Sequence, residues 1–416
     1  MKVLQRDILV LEYCVGGGFS RTMLDTSILL EGYGMLNAIV EDLKTAGFRV
    51  VTTLDFRLKD YYELKADEVV KVSSSKSLEE VVRELVSTVS YALVIAPQTG
   101  GILHRLTALL EGFQLELLGS SSNAVLLTSD KAKLQEWLEG LGLKAFPRAL
   151  TAAVDEDLAL IVRKASTIGY PCVFKPVNGV GCEGISLVSS PLSVEGALGI
   201  VKRVSSRFLI QEALKGVHAS VSLLASDGKT TPLTINAQKV ILAQPGRGRS
   251  SYEGGYTPLK HVRMKDALNL AKAAVEMVPG LKGYVGVDLV STRLKPFLME
   301  VNARLTTSYL MLRRVITGNP AEYIVNACRG VLPVDVKVKG VAVMEKLRLK
   351  RPCLYSKAKF KKLLQLPFCV SVLPPLKPRL EEGEQVAILV VHADRLNEAK
   401  ELLKEAKEEA LTLFSY

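Results

Sequence analysis

The sequence predicts an N-terminal α/β domain, a middle α+β domain with largely antiparallel sheets, and a small C-terminal α/β extension. Strand-type runs alternate with helical patterns over the first ~120 residues, the strands become shorter and the helices fewer from about Leu143, and one strand and one charged helix end the chain. The 416 residues are 48% hydrophobic and 23% charged, which is enough apolar side chain to bury a core. We expect domains at 1–120, 121–331 (with subdomains of about 121–206 and 207–331) and 332–416.

The N-terminal domain is predicted from its regular alternation of strands and helices. Strand-type runs occupy 8–13, 48–54, 68–72 and 91–96, and helical patterns cover 27–46, 78–90 and 103–110. Parallel neighbours need a crossover connection, usually a helix, so this alternation indicates a parallel sheet. A long helical stretch at 122–142, followed by Pro147, then leads into the middle domain.

The middle domain is predicted from short strands with few helices between them. These strands lie at 173–176, 208–211, 220–225, 232–242, 284–290 and 297–301. In the C-terminal extension, a strand at 386–391 precedes a charged helix at 396–409.

Several function classes are excluded by composition. The six cysteines and four histidines are scattered without Cys-x-x-Cys or His-Glu-x-x-His spacing, which argues against a disulfide scaffold, a structural zinc site and metalloprotease chemistry. No apolar run approaches the ~20 residues of a membrane helix, and the N-terminus lacks the pattern of a signal peptide. We therefore expect a cytoplasmic protein with no membrane partner.

The net charge of +11 is concentrated in one segment. Residues 337–379 carry twelve lysines and arginines and a single acid, Glu345, so the rest of the chain sums to zero. With Tyr355, Phe360 and Phe368 interleaved, this segment supports a nucleic-acid-binding protein as an alternative function. Apolar residues alternate with Lys and Arg at 338–349, however, which is typical of a half-buried strand with a solvated outer face.

A lysine at a strand end, Lys175, precedes a loop that contains Gly179, Gly181 and Gly184. This arrangement offers a fixed cation and unhindered backbone N–H groups to a polyphosphate. The loop matches neither the P-loop nor the Rossmann fingerprint, because a strand rather than a helix follows it. A flexible hairpin with an ordinary surface lysine is the alternative.

A second candidate site lies on a predicted hairpin. Glu300 and Asn302 are two residues apart on one strand and face the same side, and the hairpin brings Asp288 within reach on the neighbouring strand. Three hard oxygen ligands on one face suit Mg²⁺ bound together with substrate phosphates. Arg304 continues the row and can clamp a phosphoryl or carboxylate oxygen. A solvated polar strand face is the alternative.

A third element is the strand that ends at Gln211 and Glu212, together with the segment after it, which contains Leu214 and His218. A strand that ends in a polar pair before a glycine turn can present backbone groups to a purine edge and a carboxylate to a ribose. His218 is equally well explained as a turn histidine with satisfied hydrogen bonds.

Taken in order, Asp130-Lys131, Lys175 with its glycine loop, Gln211-Glu212, Asp288 and Glu300-x-Asn302-x-Arg304 resemble the ATP-grasp ligases. The resemblance covers roughly 120–330, and the α/β domain before it fits the Rossmann-like, pre-ATP-grasp domain of that family.

This resemblance implies a role for each of the quoted residues. It implies ATP between two antiparallel sheets and Mg²⁺ (or Mn²⁺). Phosphate contacts would come from Lys131 and Lys175 under the glycine loop, and nucleotide contacts from Gln211, Glu212, Leu214 and His218. Metal ligands would be Asp288, Glu300 and Asn302, with Arg304 and Lys175 as catalytic residues.

A narrower resemblance links the chain to ligases that join tyramine to the γ-carboxyl of glutamate in methanofuran synthesis. It lies at Leu11-Glu12-Tyr13 with Gly16–Gly18, at Leu30-Glu31-Gly-x-Gly-Met35-Leu36, and at Tyr252-x-Gly254-Gly255-x-x-Pro258. The resemblance implies small-molecule carboxylate and amine substrates. Candidate substrate residues are Glu12, Gly17, Gly18, Asn236, Gln238, Gly254 and Gly255. A plain turn at 16–18 and core-edge hydrogen bonding by Asn236 and Gln238 are the alternatives.

The chemistry implied is activation of a carboxylate as an acyl phosphate, which an amine then displaces. Glu253 and His261, in or beside the second glycine-rich loop, are candidates for the general base. A nucleotide-binding regulatory module without turnover would not explain why both lysines and all three metal ligands are present. We also expect that the chain can form a homodimer.

Overall fold

The structure is a computed structural model and describes residues 7–414. Its N-terminal sheet has the strand order β3-β2-β1-β4-β5 and is parallel throughout, as predicted. The elements of this region are β1 (Asp7–Glu12), α1 (Thr26–Thr45), β2 (Arg49–Asp55), β3 (Glu68–Val72), α2 (Leu78–Leu85), β4 (Tyr91–Ile95), α3 (Ile102–Glu111) and β5 (Glu116–Leu117). Strand β1 is buried at every position, because both faces of a parallel sheet are covered. The predicted helix at 78–90 is shorter: α2 ends at Leu85 and a 3₁₀ turn, Val86–Thr88, follows it.

The long helix predicted at 122–142 is two helices. They are α4 (Ser122–Ser129) and α5 (Lys131–Gly140). Asp130 is extended at the junction and its carboxylate accepts hydrogen bonds from the backbone N–H groups of Ala132 and Lys133, at 3.0 and 3.1 Å. Asp130 therefore caps a new helix, which begins at Lys131.

A four-stranded antiparallel sheet of order β6-β9-β7-β8 follows, and we call it the small sheet. Its elements are β6 (Ala149–Ala153), α6 (Leu158–Ile168), β7 (Cys172–Pro176), β8 (Ser186–Val188), α7 (Val194–Val201) and β9 (Arg207–Glu212). Both helices contribute buried side chains to the core of this sheet. The structure thus confirms a strand on each side of the glycine loop.

The second, larger sheet is antiparallel and has the order β14-β13-β10-β11-β12-β15-β19-β17; we call it the large sheet. Its first part consists of β10 (Val217–Ser226), β11 (Lys229–Ile241), β12 (Ser251–Thr257), α8 (Met264–Glu276), β13 (Gly283–Ser291), β14 (Pro296–Asn302), α9 (Tyr309–Val315) and α10 (Pro320–Cys328). The predicted hairpin exists, with Asp288 opposite Glu300 and Gly286 opposite Asn302.

The C-terminal segment continues the large sheet. Its elements are β15 (Val341–Arg348), β16 (Cys353–Leu354), α11 (Lys357–Gln365), β17 (Cys369–Val372), β18 (Arg379–Leu380), β19 (Gln385–Ala393) and α12 (Leu396–Thr412). Strands β15, β19 and β17 join the sheet beside β12, whereas β16 and β18 form a separate pair.

The half-buried strand predicted at 338–349 is instead buried on both faces. Six of the eight β15 residues are buried, since α9 packs on the strand and α12 packs on it as well. Two of its basic residues are ion-paired rather than solvated: Lys346 contacts Glu31, and Arg348 contacts Glu253. The predicted solvated outer face of this strand is therefore wrong.

Helix α1 connects the N-terminal region to the C-terminal segment. Tyr33 on α1 stacks on Tyr62 with 3.6 Å between ring centroids, and the Tyr62 hydroxyl donates to the carbonyl of Val372 at 2.8 Å. Arg313 on α9 pairs with Asp42 on α1 at 2.6 Å. These contacts fix α1 against the large sheet. No helix within residues 7–414 combines the length and apolarity needed to cross a membrane.

Candidate active site

A cleft between the small sheet and the large sheet brings most of the predicted site residues together. The small sheet contributes residues from β7 and β9, and the large sheet contributes residues from β10, β11, β12, β13 and β14. The predicted residues that line the cleft are Lys131, Lys175, Gly179, Gly181, Gln211, Glu212, Leu214, His218, Gln238, Asp288, Glu300, Asn302 and Arg304.

Two lysine ammonium groups converge on one carboxylate in this cleft. Lys131 Nζ lies 3.0 Å from Glu300 Oε2, and Lys175 Nζ lies 3.8 Å from the same oxygen. The side chains of Lys131 and Lys175 are 5% and 8% exposed, so bulk water screens the ammonium groups weakly. Lys131 reaches this position because α5 begins there, with its backbone N–H bonded to the carbonyl of Val177 at 2.9 Å.

Asp288 and Asn302 complete what we call the lysine–carboxylate cluster (Lys131, Lys175, Asp288, Glu300 and Asn302). The Asn302 amide donates to Asp288 Oδ2 at 3.2 Å and to Glu300 Oε1 at 3.4 Å. Gln238 Nε2 donates to the other Asp288 oxygen at 2.9 Å. The alternation of side chains along β14 and the cross-strand register of the hairpin place these groups on one face.

The electrostatics of the cluster follow from its burial. Burial and the neighbouring Glu300 charge raise the pKa of Asp288 well above its usual range. Burial acts in the same direction on Glu300, but the charges of Lys131 and Lys175 outweigh it, so the pKa of Glu300 is lowered. Burial also lowers the pKa of Lys175, against the attraction of Glu300. The carboxylates of Asp288 and Glu300 lie close together, and a bound cation can offset the repulsion between their negative charges.

The glycine loop between β7 and β8 lies beside the two lysines. Lys131 Nζ donates to the carbonyl of Gly179 at 3.1 Å, and Gly179 and Gly181 line the cleft. Gly184 does not line it. Its φ is +73°, and a Cβ there would lie 2.7 Å from the Pro176 ring, so this glycine shapes the loop instead.

The remaining predicted nucleotide contacts lie along the end of β9, in the small sheet, and along the segment that leads from it to the start of β10, in the large sheet. Gln211 is buried at the end of β9, and Glu212 beside it forms an ion pair with Arg148 at 3.2 Å. Leu214 and His218 continue the same wall. Burial lowers the pKa of His218, and the charge of Lys175 adds to this effect, so a neutral ring is favoured at neutral pH. These four residues form a continuous wall that leads to the lysines.

A second group of polar residues lies at the cleft as well; two of its members, Glu31 and Tyr252, belong to the motifs of the narrower resemblance but are not among the predicted site residues. We call it the Glu31 cluster: Glu31, Tyr252, Thr307 and Lys346. Glu31 Oε1 accepts a hydrogen bond from Lys346, and Oε2 accepts one from Thr307 at 2.8 Å. Lys346 Nζ also lies 5.5 Å from the centroid of the Tyr252 ring. Glu31, Tyr252 and Thr307 line the cleft.

Arg304 also lines the cleft, and its charge acts on Glu31. Its Nη1 donates to the carbonyl of Leu305 at 2.9 Å, whereas its buried Nε has no hydrogen-bond partner in the structure. Buried donors are nearly always paired in folded proteins, so this N–H is available to an oxygen atom of a bound substrate.

Two family models match this chain. The ATP-grasp domain model matches residues 128–308, and the pre-ATP-grasp domain model matches residues 48–125. Together they span more than half of the chain, and the first contains the whole lysine–carboxylate cluster. The chain belongs to the ATP-grasp superfamily.

Curated relatives agree with this assignment. The tyramine–L-glutamate ligase of Methanocaldococcus fervens is 29% identical over 310 residues, which cover 74% of this chain and 89% of the relative. The corresponding ligase of Methanocaldococcus jannaschii is 28% identical over 311 residues, 74% of this chain and 84% of the relative. These ligase relatives identify the chain as an ATP-grasp enzyme of the ATP-dependent carboxylate–amine ligase class.

Solved structures show the same fold. An ATP-grasp superfamily protein from Archaeoglobus fulgidus is 20% identical, with a TM-score of 0.61 over 93% of this chain and 99% of the other. The L-amino acid ligase from Bacillus licheniformis is 15% identical, with a TM-score of 0.71 over 97% of each chain.

ATP-grasp ligases use ATP together with a divalent metal ion, and the lysine–carboxylate cluster fits that ion. Two carboxylates and an amide offer hard oxygen ligands on one face, and burial, together with the neighbouring Glu300 charge, raises the pKa of Asp288, an effect that a bound cation would offset. Within residues 7–414, no three His, Cys, Asp or Glu side chains form a metal-binding group. Two carboxylates are nevertheless what a metal needs when substrate phosphates supply further oxygens.

Several predicted substrate residues of this ATP-grasp chain lie outside the cleft. Asn236 is fully buried, and its amide donates to the hydroxyl groups of Ser220 and Ser222 at 3.1 and 3.2 Å. Asn236 therefore does not line the cleft beside Gln238, as the prediction for the acceptor-amine side had it. Its hydrogen bonds are those of the alternative, a polar residue at the edge of the core. Gly254 and Gly255 allow β12 to approach its neighbours, since a Cβ at either would lie within about 2 Å of a backbone carbonyl oxygen.

Glu12, Gly17 and Gly18 lie at or just after the carboxyl end of β1, and they are not among the residues that line the cleft. Gly17 faces Val72 and Gly18 faces the Tyr13 ring, each too closely for a Cβ. Glu12 is buried and accepts a hydrogen bond from the backbone N–H of Val15 at 2.6 Å. These residues make tight packing contacts, and their role in substrate binding stays a prediction.

Neither candidate for the general base is placed to act as one. Glu253 is ion-paired with Arg348 at 2.5 Å, and although burial acts to raise the pKa of Glu253, the hydrogen bond and charge of Arg348 lower it overall. His261 accepts a hydrogen bond from the backbone N–H of Arg263 at 3.2 Å. Neither Glu253 nor His261 lines the cleft.

Proposed function

We propose that this protein joins the γ-carboxyl group of glutamate to the amine of tyramine, with hydrolysis of ATP to ADP and phosphate, as a step of methanofuran biosynthesis. The observation that carries this proposal is the similarity to two tyramine–L-glutamate ligases over 74% of the chain. The geometry of the cleft supports the reaction class.

In the first step, the substrate carboxylate oxygen attacks the γ-phosphorus of ATP, an acyl phosphate forms, and ADP leaves. The transferred phosphoryl group carries spread negative charge, which Lys131 and Lys175 stabilise from fixed, weakly screened positions. Because the two ammonium groups are already held around Glu300, little reorganisation is needed when the phosphates arrive. A bound Mg²⁺ or Mn²⁺, held by Asp288, Glu300 and Asn302, would add Lewis-acid stabilisation of the phosphate charge.

In the second step, the amine nitrogen attacks the carbonyl carbon, the C–O bond to phosphate breaks, and inorganic phosphate leaves. The departing phosphate takes up the proton that the nitrogen loses, so the products are the amide and hydrogen phosphate. The unpaired Arg304 Nε–H is available to the oxygen atoms of the acyl phosphate, where charge develops during this attack. The glycine loop, held to Lys131 through Gly179, covers the phosphate region and limits hydrolysis of the acyl phosphate by water.

The proposal is tested by turnover of the purified protein with ATP and Mg²⁺, measured as ADP and phosphate, against a panel of amino acids crossed with a panel of amines. We expect phosphate release that requires both glutamate and tyramine, and a γ-glutamyl product detected by mass spectrometry. Hydroxylamine in place of tyramine should trap the acyl phosphate as a hydroxamate.

Two results contradict different parts of the proposal. Release of AMP and pyrophosphate would rule out acyl-phosphate chemistry. Phosphate release with another acid or amine, but not with glutamate and tyramine, would reject these substrates and leave the ligase class in place.

A further inference from the structure

The Glu31 cluster lies at the cleft, but its two charged members come from parts of the chain that neither family model matches. Glu31 is on α1, before the matched residues 48–125, and Lys346 is on β15, after the matched residues 128–308. The residues that handle phosphates lie inside the matched regions. A charged group that reaches the same cleft from outside them is well placed to set substrate specificity.

The geometry around Glu31 suits an ammonium ion. Its carboxylate accepts from Lys346 and from Thr307, which leaves acceptor capacity, since an ionised carboxylate has about four lone-pair sites. Tyr252 lines the cleft beside it, and the face of an aromatic ring attracts cations. Lys346 Nζ donates a hydrogen bond to Glu31 and lies 5.5 Å from the centroid of the Tyr252 ring. The space between Glu31 and Tyr252 is therefore suited to an ammonium group.

We propose that Glu31 and Tyr252 bind the α-ammonium group of an amino-acid substrate, and that Lys346 is a positioning residue that orients the Glu31 carboxylate. This inference rests on the ligase function proposed above and adds the residues that recognise the free ammonium group of the amino-acid substrate.

A carboxylate at this place also solves a chemical problem of the reaction. An amino-acid substrate has its own amine, which competes with the acceptor amine for the acyl phosphate unless it stays protonated. Burial acts to raise the pKa of Glu31, but the charge of Lys346 and its hydrogen bond outweigh burial, so the pKa is lowered and the carboxylate stays ionised. An ionised carboxylate holds the α-amine as an unreactive ammonium ion.

The test compares each amino acid with its deamino analogue: glutamate with glutarate, and aspartate with succinate. Phosphate release gives kcat/KM for each acid at saturating ATP, with the amine that the wild type uses best. We expect the wild type to prefer glutamate over glutarate by about tenfold to hundredfold, the value of one hydrogen bond to a charged group. In Glu31→Gln this preference should fall close to one, with the KM for ATP unchanged.

Two further variants separate recognition from folding. Tyr252→Leu keeps the carboxylate and should reduce the preference by about threefold, because only the ring contact is lost. Lys346→Met should also reduce the preference for glutamate over glutarate. If Lys346 had only a structural role, its loss would not change this ratio of kcat/KM values. Glu345→Gln is the matched control: Glu345 is the neighbour of Lys346 on β15, but it pairs with Lys407 at 2.6 Å and does not line the cleft.

The outcomes distinguish this inference from the proposed function. If glutarate replaces glutamate without loss in the wild type, or if Glu31→Gln and Tyr252→Leu both keep the full preference, the ammonium site is wrong and the ligase function stands. If aspartate is the substrate and its preference over succinate depends on Glu31, the glutamate assignment fails and the ammonium site stands. Turnover of none of these amino acids would overturn the inference.

Discussion

The lysine–carboxylate cluster and the Glu31 cluster line the same cleft, but they are built differently. In the first, two ammonium groups share one carboxylate oxygen of Glu300, and burial leaves Asp288 with a raised pKa. In the second, one anion, Glu31, meets one cation, Lys346. The first cluster is therefore electrostatically incomplete without a polyphosphate and a metal ion, whereas the second is paired on its own.

The two clusters also differ in how the chain assembles them. Residues of the first lie between 131 and 302, within the matched ATP-grasp region, and come from the start of α5, from β7 of the small sheet and from the adjacent strands β13 and β14. Glu31 and Lys346 are 315 positions apart in sequence and meet only because β15 joins the large sheet and α1 packs against it. The residues that we propose for phosphate chemistry thus lie in one continuous region, whereas the two charged residues that we propose for specificity come from its two flanks.

The largest effect is expected from Glu300→Gln. This change removes a proposed metal ligand and the charge that both lysines share, so we expect kcat to fall by about a thousandfold or more, measured as phosphate release. The protein should remain folded by circular dichroism. Glu156→Gln is the control, because Glu156 has a similar ion pair, with Lys164 at 2.6 Å, outside the cleft. Activity retained in Glu300→Gln would remove the metal assignment.

A smaller effect, still at the lysine–carboxylate cluster, is expected from Lys131→Met. The remaining Lys175 still faces the phosphates, so we expect kcat/KM for ATP to fall by about thirtyfold to a hundredfold. Lys133→Met, two positions along the same helix and exposed, should leave it unchanged. Equal losses in the two variants would show that α5 itself, and not the Lys131 ammonium, is responsible.

Local sequence patterns were sufficient for the first cluster and insufficient for the second. The period of two along β14 placed Glu300 and Asn302 on one face, and the hairpin brought Asp288 opposite, as the register confirms. The same period was misleading in β15. It predicted that Lys346 points to solvent, because a local pattern carries no information that α9 and α12 cover both faces of this strand.

Two smaller differences between the predicted and the observed structure have local causes. The helix break at Asp130, which brings Lys131 to a helix start in the cleft, was hidden inside a continuous helical pattern, although an Asp is a common N-cap residue. Asn236 and Gln238 share a strand face as predicted, but Ser220, Ser222 and Thr234 surround Asn236 and satisfy its amide. Which residue of a face reaches a cleft depends on the strands beside it.

The pH dependence of stability tests a buried carboxylate that belongs to neither cluster, Glu12. Burial raises the pKa of Glu12 from 4.5 to about 7. Between these pH values the folded protein keeps a proton that the unfolded chain releases, so the free energy of unfolding falls as pH rises through this window. Above about pH 7 both states are ionised and the loss is complete, on the order of 3 kcal/mol.

The corresponding variant is Glu12→Gln, which does not ionise. Chemical denaturation of the wild type and the variant at pH 5 and pH 8 should show that the wild type loses stability relative to the variant at the higher pH. Parallel profiles for the two proteins would mean that Glu12 is not held protonated in the fold.

The smallest effect on turnover is expected from Glu253→Gln. Glu253 was a candidate for the general base, but its carboxylate is held by Arg348 Nε and Nη2 at 2.9 and 2.5 Å, and its lowered pKa makes it a weak base. We expect kcat to change less than about fivefold, whereas the free energy of unfolding falls by about 1–2 kcal/mol, because Arg348 loses its charged partner. A loss of kcat above about a hundredfold, with unchanged stability, would return Glu253 to the reaction and would require its carboxylate to reach the cleft when substrates bind.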